Sequence, residues 1–285
     1  MSFKKFLAFR EQEEAGDNNK DWRKKTAAIQ IEKGFVPPPF LRPIITAFLE
    51  SGDIELQHDT SDAPKMKKKS LFLVGGAVRD FLKGKSPKDY DVATNATPAQ
   101  VAMILSQKGG FKVRGKKDDE TGKEVPDYDR SGKQGPPMKL GFDPEIARPG
   151  DNKVWYLTGR DSSDEKKPFV ITASVGGNAI EIATFRKDAK VTDGAAEVDL
   201  VDNPIDDAAR RDLTINSLFI ELTVPDGENK KLYDPTKQGW HDATHGVVRT
   251  VGKASDRFEE DKLRVMRAIR FHCRFGKGYK MHDDI

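Results

Sequence analysis

A single cysteine, Cys273, stands among 285 residues, so the chain has no internal disulfide framework and fits a reducing compartment, with the cytoplasm as the expected location. It lies in an apolar and basic helical run and is expected to be a partly buried, inert thiol. No apolar run approaches the roughly 20 residues that a membrane-spanning helix needs, and the first residues lack a secretory pattern, so no membrane partner is expected. Charge of one sign is lacking too. Lys and Arg number 49 against 46 Asp and Glu, a net of +3, which permits nucleic acid at local basic faces without requiring it. The Gly-x-x-x-x-Gly-Lys-Ser/Thr phosphate loop is absent, which removes that class of nucleotide-binding protein.

What the chain does contain is Asp89-Tyr90-Asp91, thirteen residues beyond Gly75-Gly76. In an extended segment, side chains two apart share a face, so both carboxylates enter one volume and repel each other unless a cation lies between them. Magnesium suits such a place, because it takes one or two carboxylates together with phosphate oxygens. Upstream, Leu71-Phe72-Leu73-Val74 reads as a buried strand entering the glycine turn, with Val78, Phe81 and Leu82 at helical spacing beyond. Strand, turn without side chains and helix start together offer main-chain N–H groups to a polyphosphate. The plainer alternatives are a solvated Asp-x-Asp turn and an ordinary tight glycine turn.

Three regions follow from the pattern. Residues 1–70 mix acids and bases around Pro37-Pro38-Pro39, with a helical candidate at 44–49, and read as an extension, partly helical or disordered. Lys65 and the run 67–69 read as a solvated linker in preference to an RNA contact. Residues 71–225 form the main unit. In it, Thr97-Pro98 starts a helix carrying Val101, Ile104 and Leu105. Residues 109–168 are rich in Gly, Pro, Asp and Lys, with only 154–157 strand-like, and read as an inserted arm. A hairpin follows, 169–171 and 179–185 about Gly176-Gly177, and 213–222 alternates partly like a strand. Residues 226–285 form a linker and a helix over 258–275, with Leu263, Met266, Ile269 and Cys273 on one face and Arg264, Arg267 and Arg270 beside it.

Several side chains have two readings. Arg79 either pairs with a neighbouring acid or stands as a fixed cation beside the glycine turn. Glu181, on the second hairpin strand, is either solvent-facing or a third acid near Asp89 and Asp91. Arg211 offers a planar fork suited to polyphosphate oxygens, or faces water beside Arg210. Asn216 would share a strand face with Thr214 and hold a sugar or a loop. Asp261 and Arg264, three apart on a helix, form either a surface ion pair or an acceptor and donor couple that accepts cytosine or adenine and rejects uracil or guanine. His241 and His245 read as a surface helix or turn in preference to a metal site.

Taken in order, LFLVGGAVRDFLKGKSPKDYDVAT from Leu71, EIATFR from Glu181, RRDLTINSL from Arg210 and EEDKLRVMRAIRF from Glu259 resemble the bacterial-type, class II tRNA nucleotidyltransferase and poly(A) polymerase family. The resemblance implies an α+β fold: a polymerase-β-like nucleotidyltransferase head, a mixed β-sheet backed by helices, followed by the start of a helical neck. It implies template-independent transfer of CMP or AMP from CTP or ATP to an RNA 3′-hydroxyl, with tRNA CCA addition preferred. Poly(A) addition, or a catalytically weak nucleotide- or RNA-binding remnant, is the alternative. Carried over, Asp89 and Asp91 bind Mg2+ and Glu181 completes the catalytic acids. Gly75, Gly76, Arg79 and Arg211 meet the nucleotide phosphates or sugar, Asp261 and Arg264 read the base, and Arg267 and Arg270 line the same helix. Relatives have a shorter connection where the arm stands, and they continue past Ile285 into further helices. A shortened protein, a fragment or half of a split enzyme, the last with a second chain supplying those helices, is therefore expected.

Overall fold

A computed structural model describes residues 22–54, 66–113, 116–117, 124–125, 153–157, 170–192, 195–224, 231–275 and 278–285. In chain order the strands are β1 (Ala27–Gln30), β2 (Leu71–Val74), β3 (Val92–Thr94), β4 (Lys112–Val113), β5 (Lys116–Lys117), β6 (Glu124–Val125), β7 (Lys153–Leu157), β8 (Val170–Val175), β9 (Asn178–Thr184), β10 (Arg186–Thr192), β11 (Ala195–Leu200), β12 (Phe219–Glu221), β13 (Lys231–Asp234), β14 (Val247–Val248) and β15 (Lys280–Met281). Among the described residues, nine of them form one mixed sheet in the order β1-β13-β12-β2-β3-β9-β8-β7-β4. The β3/β9 and β7/β4 pairs are parallel and the other neighbours antiparallel. The expected α+β architecture is present.

Apolar side chains cover both faces of the central strands, which is why β2 reads as an unbroken apolar run. Leu71, Leu73, Val92, Ile180 and Ile182 belong to the larger core with the helices Arg42–Leu49 and Pro98–Gln107. Phe72, Val74, Ala93, Phe185, Phe219 and Tyr233 form a second layer, closed by Trp22, whose ring lies 5.8 Å from Phe72 and 4.9 Å from Tyr233. Thr97 caps the second helix as its sequence suggests, in a reciprocal capping box with Gln100. Gly176 and Gly177, both with positive φ, turn the expected β8/β9 hairpin.

Three expectations are revised. The region read as an N-terminal extension is partly core: β1 pairs with β13, and Arg42–Leu49 buries Ile44, Ile45, Ala47 and Phe48. Its apolar residues are spaced for one buried face, so a charge-rich composition conceals them. Residues 1–21 and 55–65 lie outside the described residues, as does most of the expected arm at 109–168. Of the described parts of the arm, β4 and β7 extend the main sheet, while β5 and β6 pair with each other. The strand expected over 213–222 is confined to β12, because Thr214–Asn216 forms a 3-10 turn. That turn is fixed by the Thr214 hydroxyl, which donates to Asp242 at 2.7 Å, and by the Leu213 to Thr250 bridge.

The expected helix over 258–275 is two helices, Ala254–Glu260 and Leu263–Phe275. Asp261 takes extended geometry and its carboxylate accepts the Leu263 N–H at 2.9 Å, starting the second helix in the manner of a cap. No helix among the described residues is long and apolar enough to cross a membrane.

Replacing Phe48, a fully buried ring, by alanine is expected to lower unfolding free energy by about 3–5 kcal/mol in urea denaturation. A loss under about 1 kcal/mol would contradict the core placement of the Arg42–Leu49 helix.

Candidate active site

Strand pairing delivers the acidic groups. The Val74 N–H donates to the Asp91 carbonyl at 3.1 Å, extending the Leu73 to Val92 register by one residue. Asp91 thus lies opposite the last residue of β2 and beside the turn at Gly75. Gly75 has φ +67°, and a Cβ there would stand 3.6 Å from Asp91 Oδ2 and 3.9 Å from Arg211 Nη1. The positive φ calls for glycine, whereas a Cβ there would make only ordinary contacts. Tyr90 packs its ring against Phe40 at 5.4 Å and Phe35 at 6.5 Å. With Tyr90 lodged there, Asp89 and Asp91 both line one cleft of about 560 Å³.

Glu181 arrives by a route that spacing alone does not reveal. Strands β3 and β9 run parallel with Val92 level with Ile182, so Glu181 comes level with Asp91 on the same face. Both carboxylates are exposed by area, yet the surrounding walls displace hydration. This desolvation raises the Asp91 pKa, Arg211 opposes the rise and Asp89 adds to it. Glu181 is raised likewise, by desolvation first and by Asp91 second. Among the described residues, no three His, Cys, Asp or Glu side chains converge into a metal-holding group. The acids therefore form a two-carboxylate site with Glu181 alongside.

Much of the remaining lining is basic: Lys88, Arg79, Arg186, Arg210, Arg211, Arg264, Arg267 and Arg274 line the cleft. Arg79 satisfies both of its readings. Only 3% exposed, it donates to Asp80 at 2.9 and 3.1 Å and to Asn216 at 2.8 Å, and its Nη2 lies 3.3 Å from where a Gly76 Cβ would stand. Its guanidinium also faces the rings of Phe275 at 4.8 Å and Phe271 at 5.4 Å. Asn216, placed on a turn and not on a strand, holds Arg79 through its side chain and Arg211 through its carbonyl.

Asp261 and Arg264 are not paired with each other. Asp261 accepts from Arg267 at 2.9 Å, while Arg264 donates to Glu260 at 2.6 Å. Their main chains do meet, the Arg264 N–H donating to the Asp261 carbonyl at 3.0 Å, but the extended geometry of Asp261 leaves the two side chains with other partners. Its carboxyl is held below the usual range by the Leu263 N–H first and then by Arg267. Arg267 also reaches Asp212 at 3.0 Å. Arg264 and Arg267 line the cleft, whereas Asp261 and Arg270 do not; Arg270 is exposed, over the Phe271 ring at 5.1 Å. Cys273 is exposed, contrary to expectation. His241 and His245 stack at 4.3 Å on the exposed face of a short helix, as their surface reading suggests.

Several residues escaped the sequence reading: Lys88, Arg186, Arg210 and Arg274, which line the cleft, and Asp207, which grips both Arg210 and Arg211. For Asp207 the signal was present, since it stands three and four residues before Arg210 and Arg211, on neighbouring positions of a helical turn.

Residues 71–125 and 155–249 match the Poly A polymerase head domain family. The chain belongs to this family. Over 213 residues it is 32% identical to the CCA tRNA nucleotidyltransferase 1, mitochondrial, of Danio rerio, covering 75% of this chain and 37% of that protein. Poly(A) polymerase I of Salmonella typhi is 30% identical over 206 residues, covering 70% of this chain and 33% of that protein. Among solved structures, a CCA-adding enzyme in its apo form II superposes with a TM-score of 0.55 at 20% identity, over 87% of this chain and 42% of that one. That likeness establishes the shared fold. The head-family chain thus spans well under half the length of these relatives.

The raised pKa of Asp91 has a consequence for stability. A carboxyl whose folded pKa exceeds its unfolded one penalises folding above the folded value, and the penalty vanishes below the unfolded one, near 3.8. Asp91→Asn should therefore raise the unfolding midpoint at neutral pH without divalent ions, with the gain disappearing as pH falls through that range. An unchanged or lowered midpoint at neutral pH would refute the strained carboxylate.

Proposed function

We propose that this head-family chain extends RNA without a template, transferring CMP or AMP from CTP or ATP to an RNA 3′-hydroxyl with release of pyrophosphate. The preferred reaction is CCA addition to a tRNA 3′ end. One observation carries the reading: Asp89 and Asp91 enter a single cleft beside the Gly75 turn, and guanidinium groups line the same cleft. The donor set fits Mg2+, since two carboxylates line one cleft and burial raises the pKa of one of them, a cost that a divalent ion there would offset. Asp89 and Asp91 would hold it, with Glu181 beside them. Bound there, magnesium supplies neutralisation of polyphosphate charge and acidifies the attacking hydroxyl.

The chain's own groups do the positioning. The Gly75-Gly76 turn admits phosphate oxygens close to the main chain, while Arg211 presents a fork to them. Arg79, fixed beneath the turn, keeps its charge at that place. Asp261 and Arg264 read the base after exchanging their present partners, Arg267 and Glu260, for the amino and ring-nitrogen groups that cytosine and adenine share. Arg267 and Arg270 belong to the same helix. The transferring unit takes in the whole nine-stranded sheet, β1 and β13 included, beyond the expected bounds of 71–225, and the helix Leu263–Phe275 begins the neck. Leu263, Met266 and Ile269, which are 65%, 62% and 42% exposed on that helix, form the face against which further helices, from the same polypeptide or a second chain, attach in this reading. The cytoplasm fits the single cysteine, although the Danio rerio relative is named as mitochondrial.

Poly(A) polymerase I among the relatives keeps polyadenylation as the second reading. Labelled nucleotides offered with magnesium to tRNA lacking its 3′ end separate the two. Incorporation of CTP and then ATP is the expected result, and long tails from ATP alone would favour polyadenylation. Asp91→Ala is expected to lower incorporation at least about 100-fold, a typical loss for a group acting on transition-state charge. Failure of the unsubstituted chain with both nucleotides would overturn the enzyme reading and leave a nucleotide- or RNA-binding remnant.

A further inference from the structure

Asp207, 1% exposed, sits in the short helix Pro204–Ala209 behind the basic wall of the cleft. Its Oδ1 accepts from Nε and Nη2 of Arg210 at 2.9 and 2.7 Å, and its Oδ2 from Nε and Nη2 of Arg211 at 3.0 and 2.8 Å. The Arg186 main-chain N–H adds a longer bond of 3.4 Å to Oδ1. Arg211 is further fixed by its Nη1, which donates to the Asn216 carbonyl at 3.1 Å, and by the Phe219 ring at 5.1 Å. One carboxylate thus grips two adjacent guanidinium groups through their Nε edges.

The physical effect is preorganisation. Two neighbouring guanidinium groups repel and, unsupported, turn their forks toward water. A carboxylate shared between them cancels one of the two charges and fixes both planes, so no reorganisation remains when an anion arrives. Burial alone would push the Asp207 carboxyl up, but Arg211 and then Arg210 hold it below the ordinary carboxylate range. The group therefore stays charged at neutral pH. Arg210 and Arg211 both line the cleft, and Arg211 Nη1 stands 3.9 Å from the Cβ position of Gly75. Arg211 thus stands at the turn assigned to the nucleotide phosphates, with Arg210 in the same cleft.

We propose that Asp207 is a positioning residue that sets Arg210 and Arg211 as a paired receiver for the pyrophosphate end of the nucleotide. The role rests on the nucleotidyltransfer reading and brings in two residues, Asp207 and Arg210, that the motif roles leave unassigned. Asp207 itself never touches substrate; it acts through the two guanidinium groups.

Asp207→Asn keeps the shape and removes the charge. Calorimetric binding of magnesium tripolyphosphate to the whole chain should weaken by roughly 10- to 100-fold, the range found when the support of a binding group is lost. KM for CTP should rise more than kcat falls, and CMP, which lacks the outer phosphates, should bind as before. Undiminished tripolyphosphate binding in the variant would overturn the positioning role, as would an equal weakening of CMP, which marks a general structural defect. A wild-type chain that neither incorporates CTP nor binds tripolyphosphate would overturn the nucleotidyltransfer reading, and this role with it. If Asp207→Asn does not fold, Arg210→Met gives the same test: selective loss of tripolyphosphate affinity supports the receiver and unchanged affinity rejects it.

Discussion

Two carboxylates, Asp89 and Asp91, held in one cleft whose walls displace their hydration are the constraint around which the site is arranged. Tyr90, anchored among Phe35 and Phe40, leaves Asp89 and Asp91 to the cleft, and the β3/β9 pairing brings Glu181 level with Asp91. Hydrophobic packing thus imposes an arrangement that electrostatics alone disfavours. At Asp91, Arg211 outweighs the repulsion from Asp89, and it is the loss of hydration in the cleft that leaves this carboxyl raised. A buried core that enforces charge proximity stores a demand for a cation.

The contrast with Asp207 shows how environment divides similar groups. Both aspartates feel Arg211. Asp207 lies deeper, yet two guanidinium groups close on it and hold its pKa down, while Asp91 faces one such group and a like-charged neighbour. The first is suited to fixing other side chains and the second to receiving an ion. Opposite pKa directions around one arginine therefore separate supporting groups from receiving groups.

Much of this was legible in the chain. The apolar run of β2, the glycine turn and the alternation in Asp89-Tyr90-Asp91 are local signals, and local geometry honours them. Thr97 and Gln100 likewise declare a helix start that forms as written. What stayed hidden depends on pairing across the chain. No spacing announces that β9 lies parallel to β3, and nothing local ties the Thr214 turn to Asp242, which precludes a strand there. Helical periodicity misled at Asp261, because its short polar side chain caps the next helix and breaks the one expected. At residues 22–54 the proline run and the charge-rich flanks misled, since the apolar residues Ile29, Leu41, Ile44 and Phe48 between them are buried.

The relation between this forced proximity and a cation is most directly measured by NMR titration of the Asp91 side-chain carboxyl, with and without magnesium and CTP. Without divalent ions the account predicts titration above the ordinary value of 3.8, and a marked fall once magnesium is added. Titration at the ordinary value, indifferent to magnesium, would contradict it.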